Sequence, residues 1–491
     1  MVDVDAIRAG YTFSTPALDL GALVVDDKAD PQTPIRIPLS LLNRHGLVAG
    51  ATGTGKTKTL QVIAEQLADQ GVPVFLADIK GDVSGMAAPG EVNDKITSRM
   101  EEMGQTWNPQ AFYCEFLALG GRGTGVPIRA SVTDFGPLLL SKVLDLTEVQ
   151  ASSLNLVFHY ADQKGLPLVN LADLRAVIQF LTSDEGKEEL KGIGGLSKQT
   201  AGVLLRNLIA FADAGAEDFF GEPEFEIGDL IRQTGDGKGV VTLLELPGVV
   251  QQPALFSSFL MWILAELFET LPEVGDPDKP KLVFFFDEAH LLFRDASKPF
   301  LEAITQTVRL IRSKGVGVFF VTQTPKDVHP DVLAQLGNRV QHALRAYTPD
   351  DAKALKATAS TFPKTDYDLE EVLTQLGTGE AIVTVLNEKG APTPVAWTRL
   401  RAPESMMAAI EGNAMAAMVG GSYLYPKYSQ VVDRESAQEM LAKRMEETAP
   451  AQAEAKPVPK KEKPKPGVAE QIFNSPTTRQ LIRSIFGTRR R

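Results

Sequence analysis

The chain has 491 residues, 44% of them hydrophobic, with a formal net charge of −12; at about 150 residues per domain this predicts about three domains, or one large domain with insertions. A single cysteine, Cys114, excludes an internal disulfide and argues against a cysteine-based metal site. No apolar run reaches the roughly 20 residues of a membrane span, and the acidic N-terminus has no apolar core of a signal peptide, so the expectation is a soluble, cytoplasmic protein.

In chain order, residues 1–40 form an N-terminal strand segment, with short strand-like runs from residue 13 that suggest a small edge hairpin. Residues 41–135 begin a core of alternating strands and helices. An apolar run, "LVAG", leads into a glycine-rich loop, then a helix over Lys56–Gln70 and a strand over Val72–Asp78. Residues 112–131 suggest a hairpin with Gly-Arg-Gly-Thr-Gly at its turn. Residues 136–235 carry helical spacing throughout and are expected to be an all-helical insertion. The core resumes over 236–401, with strands at Gly239–Leu246, Lys281–Glu288, Gly315–Gln323 and Asn338–Ala346 and a last hairpin over 379–400. Near-continuous apolar strands alternating with helices predict an α/β fold with a mostly parallel sheet covered on both faces. Residues 402–450 read as a C-terminal helical segment. Residues 451–491 read as a Pro/Lys-rich linker followed by a tail helix starting at Ser475-Pro476. Ten Lys/Arg against two Asp/Glu give residues 456–491 a charge of +8, which leaves −20 for the remainder. Such a body opposes nucleic acid globally, so any DNA contact belongs to a local channel or to the tail.

Gly50, Ala51, Thr52, Gly53, Thr54, Gly55, Lys56 and Thr57 match the pattern G-x-x-x-x-G-K-[ST], with Lys58 continuing into the helix. Glycines let successive N–H groups point into one concavity, and the helix N-terminus adds positive potential; both favour phosphate. Lys56 is expected to reach the β- and γ-phosphates of ATP, and Thr57 to ligate Mg²⁺. The second half of such a site must hold the metal and activate water. "KLVFFFDEAH" ends a buried strand in Asp287, a second candidate metal ligand, and then Glu288, a candidate general base. Gln323 ends the next strand as a candidate sensor of the γ-phosphate or the lytic water. Arg309 and Arg312 lie three apart on one helix face. The letters DEAH at 287–290 do not make a superfamily 2 helicase, because the Ser-Ala-Thr motif and a second RecA-like domain are missing. The five histidines have no metal-ligand spacing.

Together, "HGLVAGATGTGKT", "VPVFLADIKGDVSG", "FFFDEAH", "RSKGVGVFFVTQTP" and "GNRVQHALR" resemble the HerA–FtsK superfamily of P-loop motor ATPases, more narrowly its bacterial HerA-like branch. The resemblance runs over roughly residues 13–447. It implies a RecA-like core with ATP between subunits of a ring, commonly a hexamer. It implies that Arg312 is the arginine finger given to the neighbouring subunit, beside Lys56, Thr57, Asp287, Glu288 and Gln323 in the roles above. Asp78, in "ADIKGD", stands at a strand end typical of the family and has no assigned role. HerA proper has an N-terminal β-barrel where only about 40 residues precede the phosphate loop here. Two functions stay open at this point. One is an Mg²⁺-dependent ATPase ring that moves double-stranded DNA. The other is a regulatory or assembly NTPase acting on a protein partner. A phosphotransferase fits less well, because Glu288 is placed for water.

Overall fold

In the computed structural model, the described residues are 2–453 apart from 191, 192, 295, 297 and 433; the expected linker and tail helix lie outside them from 454 onward. The chain divides into two units, Met1–Leu441 and Ala442–Arg491. The first is built on one sheet of twelve strands: β1 Ala17–Val25, β2 Lys28–Pro38, β3 Gly46–Ala49, β4 Val74–Asp78, β5 Cys114–Leu119, β6 Val126–Ile128, β7 Val241–Glu245, β8 Leu282–Phe286, β9 Val316–Thr322, β10 Asn338–Gln341, β11 Glu380–Thr384 and β12 Ala396–Leu400.

The order across the sheet is β2-β1-β12-β11-β10-β3-β9-β8-β4-β7-β5-β6. From β10 to β6 every neighbour is parallel; β10, β11, β12, β1 and β2 pair antiparallel. The division follows from sequence. β3, β4, β7, β8 and β9 are buried at every position, as strands covered on both faces must be. Phe284, Phe285 and Phe286 of β8 are 0–1% exposed, and Phe286 stacks on Phe320 of β9 at 5.4 Å between centroids. β12 alternates buried and half-buried residues, the mark of a strand with one wetter face.

The apolar residues Leu60, Ile63, Ala64 and Leu67 of the helix Lys56–Asp69 are all buried, the spacing of a helix face laid on a core. Between β6 and β7 α-helices run over Val132–Val143, Glu148–Gln163, Leu171–Thr182, Asp184–Glu189 and Lys198–Asp213, while residues 214–235 hold short 3-10 turns and irregular chain in place of the expected helix.

Two further expectations are corrected. β5 and β6 are not a hairpin: they run parallel, with Leu117 opposite Val126 and Leu119 opposite Ile128. The glycine-rich segment doubles back and brings the chain in again in the same direction, held by Arg122, which donates to the Gly215 carbonyl at 2.9 Å and pairs with Asp218 at 3.0 Å. Residues 402–411 are not helical. They form an extended strap along the helix Lys56–Asp69. Glu65 accepts the N–H groups of Glu404 at 2.8 Å and Ser405 at 3.0 Å, and Gln61 donates to the Met406 carbonyl at 3.0 Å. Helix resumes at Gly412–Gly420, Tyr425–Tyr428 and Ala437–Ala453.

Candidate functional site

The glycine-rich loop leaves the carboxyl end of β3 and is fixed from both sides. Gly50 N–H donates to the Thr322 carbonyl of β9 at 3.2 Å, and Ala51 N–H to the Ala343 carbonyl at 2.8 Å. Gly50 has no room for a side chain, since a Cβ there would stand 2.4 Å from the Cβ of His342. Gly55 caps the helix at φ +114°, a left-handed backbone that glycine adopts without strain. His342 braces the loop from below: its Nε2 lies 2.9 Å from the Thr59 hydroxyl, and burial, with the charge of Lys56, holds its pKa at about 3.

Within the loop, the Thr54 hydroxyl donates to the Ala51 carbonyl at 2.8 Å and Lys56 Nζ donates to the same oxygen at 3.1 Å. Thr52 and Gly53 are exposed and Thr57 is half-buried. Burial lowers the pKa of Lys56, opposed by Glu288 and Asp287. Lys58 faces elsewhere: its ammonium donates to Gln61 at 2.7 Å and to the Met407 carbonyl of the strap.

Acids crowd the same edge of the sheet. Glu245 pairs with Asp78 in register between β7 and β4. Ala77 pairs with Phe286 between β4 and β8, so Asp78 and Asp287 leave adjacent strands at one level, on strands spaced about 4.8 Å apart. Burial, then the neighbouring Glu288, pushes the Asp287 carboxyl up to about 7. Its Oδ2 is buried without a hydrogen-bond partner, an orphaned acceptor that a cation or its bound water would satisfy. The donor set fits Mg²⁺, which takes one or two protein ligands and completes its shell with phosphate and water. Among the described residues no cluster of three or more His, Cys, Asp or Glu forms a metal centre by itself.

Glu288 has the left-handed backbone angle φ +48°, uncommon for a residue other than glycine. Its Oε1 pairs with Lys80. Its Oε2 is buried and accepts no hydrogen bond, with His290 Nδ1 3.2 Å away. Lys80 stands on a turn that Asp78 organises, by accepting Gly81 N–H at 2.7 Å and Val83 N–H at 2.9 Å. Sequence reasoning left Asp78 without a role and passed over Lys80, although both stand in "ADIKGD". The available signal was a lysine two residues beyond a buried strand that ends in an acid.

Lys56, Asp287 and Glu288 are therefore brought together, with Lys80 added. Gln323 follows Thr322, whose carbonyl receives Gly50. It is exposed, and lines a cavity of about 480 Å³ with His290, Arg294, Lys326 and Asp327. Arg309 is exposed. Arg312 is not brought to the loop of its own chain. It precedes the amino end of β9, where Arg44, at 3.1 Å, and Arg312, at 3.6 Å, share Asp276.

The chain matches the family model described as "Helicase HerA-like C-terminal" over residues 24–489. It is 23% identical over 357 residues to a DNA double-strand break repair helicase HerA of Sulfolobus acidocaldarius, covering 71% of this chain and 64% of that protein. It is 25% identical over 396 residues to a probable helicase of Methanocaldococcus jannaschii, covering 76% and 68%. The match thus spans less than two thirds of the length of the Sulfolobus relative. Among solved structures, the bacterial conjugative coupling protein TrwB in complex with ADP and Mg²⁺ superposes with a TM-score of 0.53 at 16% identity, over 82% of this chain and 95% of that one. VirB4 of Thermoanaerobacter pseudethanolicus gives 0.52 at 12% identity, over 80% and 98%. These likenesses establish the fold.

Proposed function

The chain belongs to the helicase HerA-like C-terminal family, and from that premise we propose that it is an Mg²⁺-dependent ATP hydrolase, working as a homo-oligomeric ring that moves or remodels double-stranded DNA. The observation that carries the reading is a single crevice: the lysine of a phosphate-binding loop lies near enough to an Asp-Glu pair some 230 residues away that both carboxylates raise its pKa against the effect of burial. The backbone N–H groups of Gly53–Thr57 and the Lys56 ammonium hold the β- and γ-phosphates. Thr57 and Asp287 would hold Mg²⁺, which would supply positive charge to offset that of the phosphates. Glu288 receives the proton of the attacking water, and Gln323 orients that water or the γ-phosphate from the end of the neighbouring strand. The name of one relative, a DNA double-strand break repair helicase, supports DNA as the polymer.

The test is ATP turnover with and without double-stranded DNA across a salt series, with Lys56→Ala as control. Turnover is expected to rise with DNA and the stimulation to fall steeply with salt, because phosphate contacts release counterions; Lys56→Ala is expected to abolish turnover. The strongly acidic body, −20 outside residues 456–491, favours a second reading, an NTPase that acts on a protein partner. Turnover indifferent to every DNA tried would select it.

A further inference from the structure

Lys80 has no place in the phosphate-loop chemistry, yet it reaches the centre of the site. We infer that Lys80 is a positioning residue for Glu288: its ammonium holds Oε1 so that Oε2 stays directed at the attacking water. The inference rests on Glu288 being the base, as proposed above. In the step it serves, a bond forms between the water oxygen and the γ-phosphorus. The bond from that phosphorus to the β–γ bridging oxygen breaks, its electron pair leaving on ADP, and the water proton passes to Glu288 Oε2.

Four observations converge. The two oxygens of Glu288 differ: Oε1 is paired with the Lys80 ammonium, whereas Oε2 is buried, accepts no hydrogen bond and has the His290 ring Nδ1 3.2 Å away. A carboxylate used as a base needs one oxygen free and the rest of the group fixed, as in any site where a third group orients the base. The backbone at Glu288 is held at φ +48°, and strain of this kind collects where geometry serves chemistry. The turn that presents Lys80 is anchored at both ends. Asp78, fully buried, binds Gly81 and Val83. Just beyond, the strap holds the chain through Ile410 N–H on the Ser84 hydroxyl at 3.2 Å and Met406 N–H on the Ala88 carbonyl at 2.9 Å. Lastly, the pair is lopsided, with the Lys80 side chain 45% exposed and that of Glu288 10%, so the ammonium keeps much of its hydration and gains little stability of its own from the contact. Stability alone is a poor reason for a lysine at this position. Phosphate binding is a poor one too, since the ammonium already has a carboxylate partner and Lys56 occupies the loop.

The experiment uses the full chain with Mg²⁺, and with DNA if turnover requires it. It compares kcat with the equilibrium affinity for a fluorescent ATP analogue. Lys80→Ala is expected to lower kcat about ten- to hundredfold, the cost of a slightly misplaced catalytic group, and to leave affinity within about twofold. Lys80→Arg is expected to restore much of kcat. In a Glu288→Gln background, Lys80→Ala is expected to change nothing further, because it acts only through that carboxylate. If Lys80→Ala does not fold, Lys80→Gln, which keeps most of the length and loses the charge, gives the same comparison. Unchanged or faster turnover, affinity lost in parallel with kcat, or an equal fall in the Glu288→Gln background would each overturn the inference. Wild-type chain that binds the analogue but hydrolyses no ATP would sink the ATPase reading together with it. Wild-type turnover untouched by Lys80→Ala sinks this inference alone.

Discussion

Glu245, Asp78 and Asp287 stand side by side at the carboxyl edge of the sheet, and only one of them is fully satisfied. Asp78 has two N–H donors. Asp287 and Glu245 each keep a buried oxygen without a partner. Burial, and then Asp78, pushes the Glu245 carboxyl up to about 8 from an ordinary value of 4.5. A carboxyl whose folded pKa is raised binds its proton more tightly in the folded state, so its contribution is whole below about 4.5 and is lost as pH climbs through about 8. Glu245→Gln keeps the shape without the charge. In urea unfolding of the nucleotide-free chain it is expected to match the wild type at pH 4.5 and to exceed it by roughly 1–4 kcal/mol at pH 8, each tenfold change in proton affinity being worth about 1.4 kcal/mol. A variant no more stable than the wild type at pH 8 would mean that Glu245 is ionised without cost. At this scale the sequence was readable where a residue sits in a recognisable pattern, as Lys56 and the pair Asp287–Glu288 do. Glu245 in "TLLELPG" gave no sign, because its significance comes from two neighbouring strands that lie far away in the chain. Lys80 was opaque for a similar reason: its role depends on the turn that Asp78 folds.

Among elements, the strands and helices of the parallel core were legible because their periodicity is local, and two of the misread segments are those decided by tertiary partners. The segment between β5 and β6 has the glycines of a hairpin turn, yet its direction is settled by the place β6 takes beside β5 and by the ties from Arg122 to Gly215 and Asp218. Residues 402–411 contain the alanines and methionines of a helix, but the helix Lys56–Asp69 offers a ready set of partners on one face. Lys58, Gln61 and Glu65 stand at helical spacing and meet the strap at Met407, Met406 and Ser405. Those bonds outweigh a weak propensity. They also explain why Gln61 and Glu65 are buried, which no apolar pattern would suggest. Glu65→Ala would leave the N–H groups of Glu404 and Ser405 and the Ser405 hydroxyl without their acceptor. The expected loss is about 2–4 kcal/mol in urea unfolding, since each orphaned buried donor costs about 1–3 kcal/mol. Glu65→Gln, which keeps one acceptor oxygen, is expected to lose less. Equal stability of all three chains would show that the strap is held by packing alone.

At the scale of the whole molecule, the two ends of β9 divide the work. Gln323 leaves the carboxyl end beside the phosphate loop, while Arg312 precedes the amino end, and the strand's seven residues separate them by about 23 Å at roughly 3.3 Å per residue. No side chain crosses that distance, so Arg312 cannot serve the phosphates of its own chain. It pairs with Asp276, shared with Arg44, and a half-exposed pair of this kind leaves the guanidinium free to exchange partners at little cost. If Arg312 acts on a nucleotide, it acts on that of a neighbouring copy whose carboxyl edge faces this chain's amino edge, a head-to-tail contact of the sort that closes rings. An arginine supplied in this way steadies charge in the transition state, with a typical effect of about 10³–10⁵ on kcat. Arg312→Ala is therefore expected to lose most turnover while binding nucleotide normally. Mixing it with Lys56→Ala supplies, at some interfaces, an intact loop from one chain and an intact arginine from the other. Two inactive preparations are then expected to regain activity when combined, in proportion to the fraction of such mixed interfaces. A mixture as inactive as its components, in a chain shown by mass to exchange subunits, would make Arg312 a structural residue and remove the reason to place the nucleotide between copies.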